Sequence, residues 1–238
     1  MQRFFYPGSL AGQHDVRLTD EQAHQLLHVL RSQPGDAVHL FDRQGVEYSG
    51  SIRELSLRAC VVRLEAHVVP RSEPQTKLFL YQALLKRDKL EWVVQKATEL
   101  GVAAIHLVQS RYCDRKGVPR LDRLAKIAQE AAEQSGRCTL PTLEKPTSLA
   151  DAVAQAVSRH DACLFAWEQE KAHLLPEVLG GLETSKSIAI FIGPEGGWND
   201  EEVHLACQSC IPVSLGNLVL RAETAAIAAV SASLLILK

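Results

Sequence analysis

Two short stretches near the C-terminal end carry the residues with most capacity for chemistry. In Ile188-Ala189-Ile190-Phe191-Ile192-Gly193-Pro194-Glu195-Gly196-Gly197-Trp198, an apolar run rich in β-branched and aromatic side chains reads as a buried strand that breaks at Gly193-Pro194. Gly196 and Gly197 permit positive φ and let another molecule touch the backbone, and Asn199 suits the N-cap of a helix opening Asp200-Glu201-Glu202. Strand, glycine loop and helix N-terminus in that order suggest a phosphate cradle. The charges point elsewhere. Glu195 and the acids of the first helical turn would repel a polyphosphate, and no Lys-Ser/Thr pair follows the glycines as a P-loop requires. A cationic ligand, or one held by backbone hydrogen bonds, fits better.

The second stretch, Val213 to Ala225, repeats this grammar. Leu215-Gly216 reads as strand end and turn, a loop follows, and a helix starts near Glu223-Thr224 and runs on towards the C-terminus. Its alanines (Ala222, Ala225, Ala226, Ala228, Ala229, Ala232) allow close backbone approach by neighbours. Taken singly, either stretch also reads as an ordinary loop and an ordinary run of helix formers.

The elements that must position these loops follow from the texture of the chain. Residues 2 to 69 read as a small β-rich domain, with strands at Val38 to Asp42, Val46 to Ile52 and Ala59 to Val68 and one helix, capped by Thr19, over Asp20 to Arg31. Val69 to Pro74 has linker composition. Strands then alternate with helices: a strand over Lys77 to Leu84, a helix from Asp88 to Leu100 stopped by Gly101, a strand over Ala103 to Val108, and a helix over Leu121 to Ser135. The alternation continues through Asp151 to Ser158, Ala162 to Ala166 and the strand at 187 to 192, so a parallel sheet covered on both faces is expected. No G-x-G-x-x-G follows the first of these strands, which disfavours a Rossmann dinucleotide site. On the polar face of the helix from Asp88, Lys89, Trp92, Lys96 and Glu99 recur at helical spacing and read first as a solvated face.

A length of 238 residues with 46% hydrophobic composition suits two domains of unequal size, each with its own core. No run of about 18 apolar residues occurs and Met1-Gln2-Arg3 leads into no secretory segment, so a soluble, cytoplasmic chain is expected. The cysteines are scattered and expected reduced; Cys207-Gln208-Ser209-Cys210 has zinc-like spacing but no second pair, so no metal site is assigned. A net charge of −2 gives no global support for a nucleic-acid partner, yet from Arg111 to Lys126 basic residues outnumber acidic ones. That run is either a solvated face or a phosphate-contacting surface.

Taken together, Ile192-Gly193-Pro194-Glu195-Gly196-Gly197, Leu215-Gly216 and Leu220-Arg221-Ala222-Glu223-Thr224-Ala225 closely resemble the knotted SPOUT-class methyltransferases. Within that class the chain looks like the RsmE family, which makes N3-methyluridine in 16S ribosomal RNA. The resemblance extends through Gln82-Ala83-Leu84, the block from Glu91 to Val102, the block from Glu130 to Arg137 and Arg3-Phe4-Phe5, and so spans essentially the whole chain.

The resemblance implies an α/β protein with a PUA-like or OB-like β-barrel RNA-binding domain at residues 1–70 and a SPOUT methyltransferase domain with a deep trefoil knot at residues 75–238. It implies S-adenosylmethionine as methyl donor, without a metal, and assigns Gly193, Glu195, Gly197, Leu215, Gly216, Leu220 and Ala225 to the donor pocket. A sulfonium cation suits the acidic, glycine-lined loop. Methyl transfer to uracil N3 needs in-line positioning, removal of the N3 proton and stabilisation of charge spreading onto O2 and O4. Arg221 is the candidate for the last role; Glu223 or Glu195 is the candidate base, or the partner that orients Arg221, and a structural Arg221-Glu223 ion pair is the plainer alternative.

Because N3 lies on the Watson–Crick edge, the target base must be unpaired or drawn out of a helix. Candidate RNA contacts are Arg3, Lys86, Arg87, Lys96, Arg111, Arg115 and Lys116; for Arg3 an edge-strand structural role is equally open. The implied partner is 16S rRNA in the small ribosomal subunit or its assembly intermediate, and the implied assembly is a homodimer. The chain departs from the family pattern at Asn217, Leu218 and Ala222, and at Leu85-Lys86-Arg87. The alternatives are a SPOUT methyltransferase acting on another rRNA or tRNA site, and an RNA-binding module without catalysis.

Overall fold

In a computed structural model, which describes residues 2–57, 59–69, 73–113 and 119–237, the chain divides into two units. One comprises Met1–Ser72 with Ala132–Leu140, the other Glu73–Ala131 with Pro141–Lys238. The first unit is built on a five-stranded sheet of order β1-β3-β4-β5-β2, from β1 (Gln2–Tyr6), β2 (Asp15–Arg17), β3 (Ala37–Asp42), β4 (Glu47–Ser56) and β5 (Ala59–Val68). Alternation along these strands turns Phe4, Val16, Val38, Leu40, Ile52, Cys60 and Val62 into one core, closed by Leu26 and Ala23 of the helical segment.

That segment is shorter as an α-helix than its sequence suggests. α1 covers Asp20–His24, opened by a reciprocal capping box between Thr19 and Gln22, and then widens into a π-helical turn at Gln25–Val29. The Leu30 N–H reaches back five residues to the Gln25 carbonyl, and Arg31 stands at φ 54°, so the helical path ends before the expected Arg31.

Ala132–Leu140 groups with the first unit, where Ala132 and Cys138 pack with Phe5 and Phe41, Glu133 accepts the Phe5 N–H at 2.9 Å, and the Arg3 side chain makes further bonds. Arg3 places its Nε and Nη2 on the two Glu47 oxygens at 3.0 and 2.9 Å. Its Nη1 faces the carbonyls of Ala132, Glu133 and Arg137 at 3.3 to 3.4 Å, and Nη2 also meets Cys138 Sγ at 3.2 Å. The Phe41 ring lies 5.0 Å from the guanidinium carbon. Burial alone would push the Glu47 pKa up, but hydrogen bonds from Arg3, Cys138 and His39, with the Arg3 charge, outweigh it and hold the carboxyl at about 2. Burial, and then the Glu47 carboxylate, push the Cys138 thiol up to about 12. The expectation that Arg3 contacts RNA is corrected here: every guanidinium N–H is directed at an internal acceptor, so none remains for a phosphate.

The second unit follows the alternation in the sequence. β6 (Lys77–Ala83), α2 (Arg87–Leu100), β7 (Ala104–Gln109), α3 (Leu121–Ser135), β8 (Thr142–Leu143), β9 (Thr147–Ser148), α4 (Leu149–Arg159), β10 (Ala162–Ala166), α5 (Leu175–Gly180), β11 (Ser187–Ile192), α6 (Asp200–Cys207), β12 (Ile211–Val213) and α7 (Ala222–Ile236) succeed one another. All strand pairs are parallel, in the order β12-β10-β11-β6-β7-β8, with β9 also on β7. Pro212, which has no N–H to donate, sits in the edge strand β12. Apolar cores cover both faces of the sheet, one carrying Leu78, Leu80, Ile188 and Ile190 and the other Tyr81, Ala189, Phe191 and Phe165. On α7, Ala222, Ala226, Ala229 and Val230 are buried, and the helix packs on α2, α5, β6 and β11. Among the described residues no helix is long and apolar enough to cross a membrane.

The Arg3–Glu47 pair sets a stability prediction for the first unit. Arg3→Met strands a buried carboxylate and is expected to cost about 3–5 kcal/mol in denaturant unfolding, part of which Glu47→Leu on the same background restores. The Glu47 folded-state pKa is depressed, so its stabilisation is complete above the unfolded value of about 4.3 and drains away as pH falls towards about 2. An acid titration in which Glu47→Gln and the unsubstituted protein lose stability in parallel would contradict this.

Candidate active site

Parallel strands end on one side of their sheet, so the segments leaving β10, β11 and β12 meet there. They enclose a cavity of about 370 Å3, within the usual range for a small-molecule site. Its wall comprises Ala166 to Glu168 after β10, Ile192 to Trp198 after β11 and Ser214 to Ala222 after β12, together with Ala225 of α7 and Lys89 of α2. All seven residues expected in a donor pocket (Gly193, Glu195, Gly197, Leu215, Gly216, Leu220 and Ala225) lie on this wall, and so does Arg221.

Each loop is set by local chemistry. After β11 the Gly197 N–H closes a turn onto the Pro194 carbonyl at 3.0 Å, and Gly197 takes φ 73°. Gly196 has a different reason from the one its sequence suggested: a Cβ there would stand 2.7 Å from Tyr112 Cβ, so the close approach comes from the same chain. Trp198 is buried, donates from Nε1 to the Ala166 carbonyl at 3.0 Å and stacks on Phe165 at 4.8 Å, tying this loop to the end of β10. Asn199 caps α6 and shares a capping box with Glu202, whose other oxygen accepts the Arg111 backbone N–H at 2.7 Å.

After β12 the strand ends at Val213, two residues earlier than expected, because Ser214 turns aside to a bridge with Leu174. The Ser214 hydroxyl then brackets Gly216, which stands at φ 119° with open space where a Cβ would point. Among the described residues, the backbone of 217–220 makes no hydrogen bond, which leaves donors and acceptors along the wall. Leu218 and Val219 are about 80% exposed.

The charged groups do not pair as the sequence suggested. Arg221 is the N-cap residue of α7, its side chain exposed and without an ion pair among the described residues. Glu223 instead faces Lys89, Nζ to Oε2 3.4 Å, and the same Nζ lies 3.2 Å from Glu195 Oε1. The Arg221-Glu223 pair is therefore replaced by a Lys89 bridge between the two loops. Donation of a hydrogen bond from the ammonium to the Glu195 carboxylate is the main cause that raises the Lys89 pKa, with Glu223 adding to it. Sequence reasoning missed Lys89, Trp167 and Glu168. The helical repeat of Lys89 gave no sign that its face meets two loops, whereas the strand at Ala162 to Ala166 did signal a third loop.

The residues expected to contact RNA are in different states. Lys86 precedes α2 and is exposed, and the Arg111 side chain is exposed. Arg87 is bound to Glu91 at 2.8 Å, an acceptor shared with Arg123, and Lys96 is bound to Glu99 at 2.8 Å. Arg115 and Lys116 lie outside the described residues. Among the described residues no group of His, Cys, Asp and Glu is arranged to hold a metal ion.

Comparison with known proteins gives this geometry its family. Residues 71–234 match an RNA methyltransferase domain and residues 18–65 an RNA methyltransferase PUA domain. Ribosomal RNA small subunit methyltransferase E of Rickettsia conorii is 32% identical over 234 residues, covering 96% of this chain and 93% of its own. The Bacillus subtilis protein of that name is 31% identical, covering 90% and 88%. Among solved structures, the Neisseria gonorrhoeae ribosomal RNA small subunit methyltransferase E bound to S-adenosyl methionine superposes with a TM-score of 0.89 at 30% identity over 98% of this chain and 96% of its own. A Legionella pneumophila methyltransferase in complex with the bound cofactor SAM follows at 0.81 and 30%, covering 96% and 95%. With a cavity shared by its two glycine loops and a family match over most of its length, the chain belongs to the ribosomal RNA small subunit methyltransferase E family.

Proposed function

We propose that the protein transfers a methyl group from S-adenosylmethionine to N3 of a uridine in the 16S rRNA of the small ribosomal subunit. The observation that carries this reading is that the loops after β11 and β12 line one cavity with free backbone groups and an acidic rim. When bound there, S-adenosylmethionine supplies an electrophilic methyl on a sulfonium. Gly193, Glu195, Gly197, Leu215, Gly216, Leu220 and Ala225 would hold it: the carboxylate would favour the cation, and the unbonded backbone of the second loop would offer hydrogen bonds to a polar ligand edge.

Arg221 lines the same wall and has no ion pair among the described residues, which supports a role for its guanidinium in stabilising the charge that develops on the uracil oxygens. Glu223 or Glu195 accepts the N3 proton. Lys86 and Arg111, exposed and outside any described ion pair, make the first phosphate contacts; Arg87 and Lys96 join by exchanging Glu91 and Glu99 for phosphates. In this reading residues 1–70 form the PUA-like RNA-holding domain, residues 75–238 the knotted catalytic domain, and the working form is a cytoplasmic homodimer.

Three outcomes test it. Gly216→Val forces a β-branched residue to φ 119° and should weaken S-adenosylmethionine binding by at least about tenfold in calorimetry; unchanged affinity removes the second loop from the pocket. Arg221→Ala should leave stability within about 0.5 kcal/mol but lower methyl transfer by about 10²–10³, and full activity in this variant refutes its role. Mass spectrometry of rRNA nucleosides from a deletion strain should lack N3-methyluridine and regain it on complementation. Its persistence in the deletion strain would leave the acceptor misassigned.

A further inference from the structure

Lys89 is an unusual residue for its place. It lies in the first turn of α2, where the helix dipole disfavours a cation, so helix stability does not account for it. Its ammonium lies 3.2 Å from Glu195 Oε1 and 3.4 Å from Glu223 Oε2, joining a carboxylate from the loop after β11 to one from the first turn of α7. All three side chains are partly covered: 25% exposed for Lys89, 27% for Glu195 and 17% for Glu223. Glu223 Oε2 is buried and makes no hydrogen bond of acceptable geometry, so the nearby Lys89 charge is its compensation. Both carboxylates therefore face one ammonium, whose charge offsets their mutual repulsion. The other charged groups on the cavity wall are Glu168, after β10, and Arg221, at the start of α7.

We propose that Lys89 is a positioning residue that keeps the Glu195 and Glu223 carboxylates together and fixed on the cavity wall, so that one of them can receive the uracil N3 proton. The inference rests on the methyl-transfer reading above and adds to it the group that holds the base in place. In the step concerned the N3–H bond breaks, the proton passes to a carboxylate oxygen, and the electron pair stays on the uracil ring. Without the ammonium the two like charges turn away from one another and the base loses its aim at N3, so the methyl-transfer step slows while the donor still binds. A lysine that served only to shape the donor pocket would instead show its loss in donor affinity.

The test compares the unsubstituted protein with Lys89→Met and Lys89→Arg. S-adenosylmethionine affinity is measured by calorimetry, and single-turnover methylation of small ribosomal subunits lacking the modification is followed at saturating donor. Lys89→Met is expected to bind the donor at least as tightly, since a cation has been removed beside a cation's pocket. Its single-turnover rate at saturating donor should fall by about tenfold. Lys89→Arg should retain most of the rate. An unchanged rate in Lys89→Met, or a rate loss matched by lost donor affinity, overturns the assignment to Lys89. Failure of the unsubstituted protein to methylate the subunits overturns the functional reading itself.

Discussion

The site depends on one constraint, the parallel direction of the second sheet. Because β10, β11 and β12 run the same way and lie side by side, the three segments that leave them emerge together. Three short strands end in loops that do no more than turn, and the turns enclose the cavity. Its wall carries the backbone of three loops together with the charged side chains of Lys89, Glu168, Glu195 and Arg221, which suits a ligand recognised by hydrogen bonds and by the sign of its charge. Helix α7 completes the arrangement. Its buried alanines let it lie close on α2 and β6, which brings Glu223 of its first turn to Lys89.

The first unit uses charge differently. Arg3 is surrounded by a carboxylate, three carbonyls, a thiol and an aromatic face, all from its own unit. The arginine gathers residues 132–140, distant in sequence, onto β1. Such a network specifies which segment packs there more than it adds net stability, because removing two charges from water offsets much of what their attraction returns. In the second unit Lys89 also bridges acids, but its side chain and theirs remain partly open to solvent.

Much of this was legible in the sequence. Strand, glycine turn and capped helix could be read around Gly193 to Glu202, since β-branched runs, glycines and Asn199 act locally. The parallel sheet could be read from the alternation of strands and helices. What could not be read were relations between distant residues. Nothing near Arg3 announces that its partners lie at 132 to 138. Arg221 and Glu223 are neighbours in sequence, yet Glu223 faces a lysine more than a hundred residues away. Gly196 was read as room for a ligand, whereas Tyr112 fills that space. The π-helical turn at Gln25–Val29 escaped because helix formers do not report their hydrogen-bond spacing.

The central claim is that the two glycine loops act as a single receptor for a sulfonium methyl donor. Hydrogen–deuterium exchange with and without S-adenosylmethionine tests it most directly. The account predicts that amides of 193–197 and of 214–221 are slowed together and to similar extents, while β1 to β5 exchange as before. Protection confined to one loop, or appearing only outside both, would contradict it.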